Sequence, residues 1–507
     1  MPRRPGRAAA GAVLALACIV ASGCGARLSP RQHAAGVALT SGSGGTATTG
    51  PQGVATTAPP DISAPQTGPT AAATGTAPGA VTPTGGPSTG PLGPTGAVGQ
   101  PSSGTSTAPP SSGSNGHATT TPGSACPAGT LGASDTGVTA TTLKIGNSAD
   151  ITGPVPGLFQ TAQDGAKAFV AYFNGTNQTV CGRKLSMDTY DSQTSESGDH
   201  DAAAAACTRD FALVGSISAY DQGGAPVVQQ CGIPDLRSAA VTGARQAVPN
   251  TFGAESTSEK SYSSTTPDYF KNKFGDTVTQ HAAFLYINVG VGVEQEKFTS
   301  AAWKQDGYNY VYEAGIDISD FNYAPFVQTM KSKGVQIVQF IGAEQQAANL
   351  MKAIKSQDFH PTAVVLQANT YDAVFPQSAG DAATGAYTYI PGQLFSEIGS
   401  NKEAQLYVQW LSRVAPNAQP SFFGEFAWSA MRLFVEQAQK IGPNLTRKAM
   451  ITALQGVKDW TANGMHAPQA VGAKATGVCE SVIQWNGSAW VRVTPAPWTC
   501  GRLLASS

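Results

Sequence analysis

Apolar residues in the later three quarters of the chain keep changing their period. Leu143-Lys144-Ile145-Gly146 alternates as a short strand, and Phe159, Ala162, Ala166, Phe169, Val170 and Phe173 then recur at helical spacing. Leu185 to Asp188 alternates again, Asp201 to Phe211 is an Ala-rich helix, and Ala212 to Gly215 is the next strand. A short helix over Ala225–Gln230 and a strand over Ile233–Leu236 close this first set. After a predicted helix over Ser258–Phe274 the rhythm restarts. Its strands are Ala282–Ile287, Tyr310–Tyr312, Gln336–Ile341 and Ala363–Gln367, and its helices are Glu294–Lys304, Phe321–Lys333 and Glu344–Ser356. Strands alternating with helices imply βαβ units and a parallel sheet, here twice over. The chain then adds helices at Ala404–Val414, Phe423–Lys440 and Thr446–Leu454. It ends on two strand-like runs, Cys479–Trp485 and Trp490–Val493, joined by Asn486-Gly487, a strong hairpin signal.

Nothing of this kind precedes residue 126. Every Phe, Tyr and Trp of the 507-residue chain lies at or after Phe159. Residues 25–125 are mostly Gly, Thr, Pro, Ser and Ala with only Arg27, Arg31 and Asp61 charged. Such a stretch buries too little apolar surface to offset its ordering entropy, so residues 24–125 are predicted to be a disordered tether. The body, residues 126–507, carries 26 basic and 31 acidic side chains. That balance excludes the basic footprint of a nucleic-acid binder and a polybasic grip on anionic lipid.

The first residues read as an address. Arg3, Arg4 and Arg7 precede an uncharged apolar run from Ala8 to Ala21, too short for a spanning helix and of the length of a signal-peptide core. The run leads into Ala21-Ser22-Gly23-Cys24, which resembles the lipobox of bacterial lipoproteins. That resemblance implies a signal peptide over residues 1–23 and acylation of Cys24, an anchor to the outer face of the cell membrane. Six cysteines remain in an exported body, Cys126, Cys181, Cys207, Cys231, Cys479 and Cys500, and read as disulfides. No pair has Cys-x-x-Cys spacing and histidine is scarce, so no metal site is expected.

Leu143-Lys144-Ile145-Gly146, Thr152-Gly153-Pro154, Gln163-Asp164-Gly165-Ala166, Ala212 to Ser216, Cys231-Gly232-Ile233-Pro234 and Phe422 to Ala427 fall in an order that resembles the leucine-binding type of ABC transporter solute receptor. The resemblance covers residues 140 to about 455. It implies the type I periplasmic binding protein fold, an α/β architecture of two doubly wound Rossmann-like lobes with a hinge. Lobe one would span about 140–257 and lobe two about 275–390, with 391–507 returning across the hinge. It also implies a small-molecule ligand (an amino acid, an amide or a small carboxylate), an ABC transporter permease as partner, no cofactor, no catalysis and a monomer. An alternative within the same fold is a sensor acting with a membrane signalling partner; a secreted hydrolase ranks below it, because no nucleophile, base and orienter come together.

Ligands of doubly wound sheets bind beyond the carboxyl ends of the strands. The candidates are therefore Thr152, Ser218, Ala219, Tyr220, Ser238 and Ala239 in lobe one, and Asn288, Glu344, Asn369 and Tyr371 in lobe two. In the resembling receptors lobe-one hydroxyls hold a carboxylate and a lobe-two acid takes the ammonium, with Ser218 and Glu344 or Asn369 the nearest matches. Each is equally a residue type that caps helices and turns chains. Cys479 and Cys500 flank the terminal hairpin and are expected to pair. Strand order 2-1-3-4-5 puts the helices ending at Cys207 and Cys231 side by side, which favours Cys207–Cys231 and leaves Cys126–Cys181, with Cys181–Cys207 the competitor. Other motifs are weaker. Gly86-Pro87-Ser88-Thr89-Gly90 mimics a nucleophile elbow without strand or helix beside it. Gly290-Val291-Gly292 is half of a dinucleotide turn. His281, His360 and His466 are expected to be solvated or capping.

Overall fold

In a computed structural model, residues 132–506 are described. The signal segment, Cys24, the tether and Cys126 lie outside them. Lobe one runs β1 (Thr142–Ala149), α1 (Gln160–Gly175), β2 (Lys184–Asp191), α2 (Glu196–Arg209), β3 (Ala212–Val214), α3 (Ala225–Cys231), β4 (Asp235–Ala239), α4 (Gly243–Gln246) and β5 (Thr251–Glu255). The strands form one parallel sheet in the order β2-β1-β3-β4-β5. β3 and β4 are buried at every position, as strands covered on both faces must be. α2 starts five residues before the expected Asp201. Its first turn is polar and carries no apolar period, yet Ser195 caps it by accepting from the Gly198 N–H at 3.1 Å, and Glu196 and Asp199 sit at the positive end of the helix.

Lobe two continues with β6 (Ser261–Ser263), α5 (Thr265–Phe274), α6 (Asp276–Thr279), β7 (Ala282–Ile287), α7 (Gly290–Gln305), β8 (Tyr310–Ile316), α8 (Ala324–Ser332), β9 (Ile337–Ile341), α9 (Glu344–Ser356), β10 (Ala363–Leu366), α10 (Val374–Ala379) and β11 (Tyr387–Ile390). α11 (Lys402–Val414), α12 (Phe422–Ile441) and α13 (Arg447–Gln455) follow, then β12 (Cys479–Trp485), β13 (Trp490–Arg492), β14 (Thr499–Cys500) and β15 (Leu503–Ala505). The second sheet has the order β13-β12-β11-β10-β9-β7-β8, with β14 also on β12. It is parallel from β8 to β11 and antiparallel through β12 and β13. The helix expected over residues 258–274 is a correction: its first half is extended, and β6 pairs with β15. Ser and Tyr alternate there, which suits a strand, and only from Thr265 does the helical period begin.

α11 and α12 return to lobe one and close its face. Phe169 of α1 meets Trp428 of α12 edge-on at 4.9 Å, and Tyr172 meets Trp410 of α11 at 5.9 Å. The hairpin strands join lobe two, so the chain crosses between lobes three times. The crossings are tied together. Gln469 Oε1 accepts from the Ser256 N–H at 2.9 Å, the Gly477 N–H donates to Ser256 O at 3.2 Å, and the Ala467 N–H donates to Pro391 O at 2.8 Å. Two expected disulfides are present. Cys207–Cys231 links the ends of α2 and α3, and Cys479–Cys500 links β12 to β14. Cys181 is disulfide-bonded as well; its expected partner, Cys126, lies outside the described residues.

Candidate ligand-binding site

Strand-end loops of the two lobes and the three crossings enclose a cavity of about 230 Å³. Lobe one contributes Ala219 and Tyr220 after β3 and Ala239, Ala240 and Val241 after β4. Lobe two contributes Ile287, Val289 and Val291 from the β7–α7 turn, Ile341 to Ala343 from the β9–α9 turn, and Asn369 after β10. Phe159, ahead of α1, and Phe423, in the first turn of α12, touch edge-on at 5.2 Å and form an aromatic side wall. The back wall is polar and comes from the crossings: Glu255, Ser256, Tyr262, Gln469, Thr476 and Glu480. The site is thus a mostly apolar chamber with polar groups at the hinge and further amides, Gln246, Gln295, Gln346, Gln367 and Asn369, from the lobes, the usual make-up of a small-molecule site.

Buried polar groups hold the loops of lobe one in place. Asp150, at the end of β1, accepts from Ser192 Oγ at 2.5 Å, Ser218 Oγ at 2.9 Å and the Ala219 N–H at 2.8 Å. Asp221 accepts from Thr242 Oγ1 at 2.5 Å and the Val241 N–H at 2.9 Å. Behind them Arg245 reaches Asp235 at 2.9 Å and Asp199 at 3.2 Å. These bonds leave the backbone of 219–220 and 239–241 fixed against the cavity.

Of the ten candidate contacts, Ala219, Tyr220, Ala239 and Asn369 line the cavity. The other six stand elsewhere. Thr152 is exposed and bonds Asp191, whose carboxyl stays below its ordinary range because hydrogen bonds from Thr152, Gln193 and Ile151 outweigh its burial. Ser218 donates to Asp150, and Ser238 donates to Phe423 O at 3.1 Å. Asn288 is exposed past the end of β7. Glu344 opens α9 and accepts from Asn369 Nδ2 at 3.0 Å, so it stands behind a lining residue. Burial raises the Glu344 carboxyl; burial and then the Glu344 charge raise Asp372 beside it. Tyr371 is stacked on Phe395 at 5.0 Å, and its hydroxyl accepts from the Phe395 N–H at 2.6 Å.

The back wall escaped the sequence reading. Glu255 ends a strand whose glycine masks its alternation, Tyr262 falls in the stretch read as helix, and Glu480 lies in a hairpin read only as structure. Phe423 was legible as the start of a helix but not as a wall. His466 corrects an expectation too. It is fully buried, stacked on Phe426 at 4.8 Å and bonded to Ser429 Oγ at 2.8 Å, and burial pushes it down to about 4. It does not line the cavity described above. Among the described residues no group of three or more His, Cys, Asp and Glu stands where it could hold a metal ion.

A family profile described as periplasmic binding protein matches residues 142–480, both lobes and the crossings together. The chain belongs to the periplasmic binding proteins. Solved structures carry the same fold at low identity. A fatty acid ABC transporter substrate-binding protein from Thermomonospora curvata superposes with a TM-score of 0.62 at 18% identity, covering 72% of this chain and 94% of that one. An ABC transporter solute binding protein from R. palustris, in complex with benzoate, gives 0.61 at 15% identity, covering 72% and 99%. A branched-chain amino acid transporter substrate binding protein from Streptococcus pneumoniae, in complex with isoleucine, gives 0.58 at 15%, covering 70% and 100%. No curated protein matches the chain. The family match and the solved structures agree on the type I periplasmic binding protein fold. No helix among the described residues is long and apolar enough to cross a membrane.

Proposed function

We propose that this periplasmic binding protein works as a monomer on the outer face of the cell membrane, anchored through acyl chains on Cys24 and lifted by the tether. It captures a small molecule between its lobes and hands it to the permease of an ABC transporter. The observation that carries this reading is one cavity bounded by strand-end loops from both lobes and by all three crossings. A molecule seated there touches both lobes, so it binds the closed form better than the open one and shifts the hinge equilibrium towards closure. The lining suits a ligand with an apolar body and no net negative charge, because no Lys, Arg or His lines the chamber.

The test has two arms. A thermal-shift panel of amino acids, amides and small carboxylates selects a ligand, and small-angle scattering then measures the purified protein with and without it. Compaction on saturation, with the ligand recovered unchanged, is the expected result. Binding without compaction, or turnover of the ligand, overturns the receptor reading. For the anchor, Cys24→Ser should release the protein from the membrane fraction into the medium.

A further inference from the structure

The back wall of the cavity holds two carboxyls and no counter-charge. Glu255 and Glu480 both line it. Glu480 is only 6% exposed, and its Oε1 accepts from Thr266 Oγ1 at 2.9 Å and from the Thr266 N–H at 3.2 Å. The Glu255 carboxyl has no hydrogen-bond partner among the described residues. Beside them the Tyr262 hydroxyl lies against that of Tyr389, which itself donates to Gln367 Oε1 at 2.7 Å. Several other buried acids of this chain are matched with guanidinium groups, while Asp150 and Glu425 are held by hydrogen bonds alone. Asp199, Asp221 and Asp235 face Arg245 and Arg237, and Glu403 faces Arg432 at 2.8 Å. Two acids taken out of water together, with no cation supplied, are costly unless something else completes them. Burial lifts Glu480 up to about 7, and burial with the nearby Glu480 charge lifts Glu255 up to about 8.

We propose that the ligand brings the missing charge: a cationic head, ammonium or guanidinium, seated against Glu255, Glu480 and the Tyr262 hydroxyl. Its apolar body lies between Phe159 and Phe423 on one side and Val289, Val291 and Ile341 on the other. A cation satisfies both carboxylates at once through charge-assisted hydrogen bonds, which are strong in a desolvated chamber. A net anion meets two acids and no basic side chain. The inference rests on the receptor reading and narrows it to one class of solute.

Four probes on one apolar body separate the possibilities: 2-phenylethylamine, phenylalanine, 2-phenylethanol and 3-phenylpropionate, titrated calorimetrically into the purified full-length protein. The amine should bind at least tenfold tighter than phenylalanine and tighter still than the alcohol and the propionate. Glu255→Gln and Glu480→Gln should each weaken the amine at least tenfold and leave the alcohol unchanged. The amide at 480 still offers Thr266 an acceptor, so melting midpoints close to wild type are expected and would separate lost charge from lost fold. Tightest binding by phenylalanine or the propionate, or an amine indifferent to both substitutions, overturns the cation assignment. If those other probes bind with compaction in scattering, the receptor reading stands without it. No binding by any of the four, nor by a wider panel graded by charge, overturns both.

Discussion

Gly165 of α1 and Gly424 of α12 face each other so closely that a methyl group on Gly165 would stand 2.9 Å from the Gly424 Cα. The obstacle is backbone, which cannot swing aside as a side-chain tip can. The contact sets the distance at which α12 lies on lobe one, and the preceding residue, Phe423, is carried with it into the cavity wall. Gly165→Ala should destabilise the fold by about 1–3 kcal/mol through overpacking. Denaturant unfolding would show a lower midpoint at unchanged slope; an unchanged midpoint would mean the two helices slide apart freely.

That contact also shows how far the sequence was legible. The helices of α1 and α12 followed from apolar spacing, while the order of lobe one came from the rules of the doubly wound fold that the rhythm implies. What escaped were elements whose pattern is set by distant partners. β6 is strand because β15 arrives from the far end of the chain to pair with it, and β5 is strand because β4 lies beside it. The site followed the same division. Loops after strands could be named in advance, giving Ala219, Tyr220, Ala239 and Asn369. Glu255, Tyr262 and Glu480 come from crossings that only the assembled hinge brings together. Ser218 and Ser238 misled for a physical reason: a hydroxyl at a strand end serves a neighbouring loop as readily as a ligand.

Asp150 is the centre of one such loop junction. Asp150→Ala would leave Ser192 Oγ, Ser218 Oγ and the Ala219 N–H without their acceptor, at a cost of about 2–4 kcal/mol. Since the Ala219–Tyr220 backbone shapes the cavity, ligand affinity should fall as well. Asp150→Asn, which keeps one acceptor oxygen, should lose less on both counts, as thermal melts and titrations in parallel would show.

His466 should make the fold sensitive to mild acid. Buried, it takes a proton only near pH 4, whereas the unfolded chain takes one near 6.5. Between those values the unfolded state holds more protons, so stability present above pH 6.5 is lost as pH falls towards 4. The whole shift is worth roughly 3 kcal/mol. Unfolding free energy of His466→Gln, measured across this window, should fall less steeply than that of the wild type. Parallel slopes would mean that the imidazole stays accessible to protons in the folded protein.

Glu425 has the opposite sign. It lies fully buried in α12 and accepts from the Gln393 N–H at 3.0 Å, and burial raises its carboxyl well above the ordinary range. The folded state therefore keeps a proton that the unfolded chain releases near 4.5, so this contribution is complete below that pH and fades as pH rises. Glu425→Gln keeps the acceptor for Gln393 and removes the titration. It should be more stable than wild type at pH 8, with the difference shrinking towards pH 5. A variant equally destabilised at both pH values would show that the ionised carboxylate is the native form.

Tyr220 and Asn369 line the cavity from opposite lobes, and Glu344 touches it only through Asn369. This geometry separates three roles. Tyr220→Ala should weaken the ligand selected by the charge-graded panel by about tenfold, through lost packing in lobe one. Asn369→Ala should weaken it comparably, and should also reduce compaction at equal saturation, because a ligand that meets lobe two less well has less preference for the closed form. Glu344→Ala should show a smaller version of the Asn369 effect, since it frees the amide without removing it. If Glu344 only orients Asn369, its loss adds nothing in the Asn369→Ala background, which a double-mutant cycle on affinity reads directly. An additive loss would instead place the Glu344 carboxylate in contact with the ligand of the closed form, as the acid of lobe two.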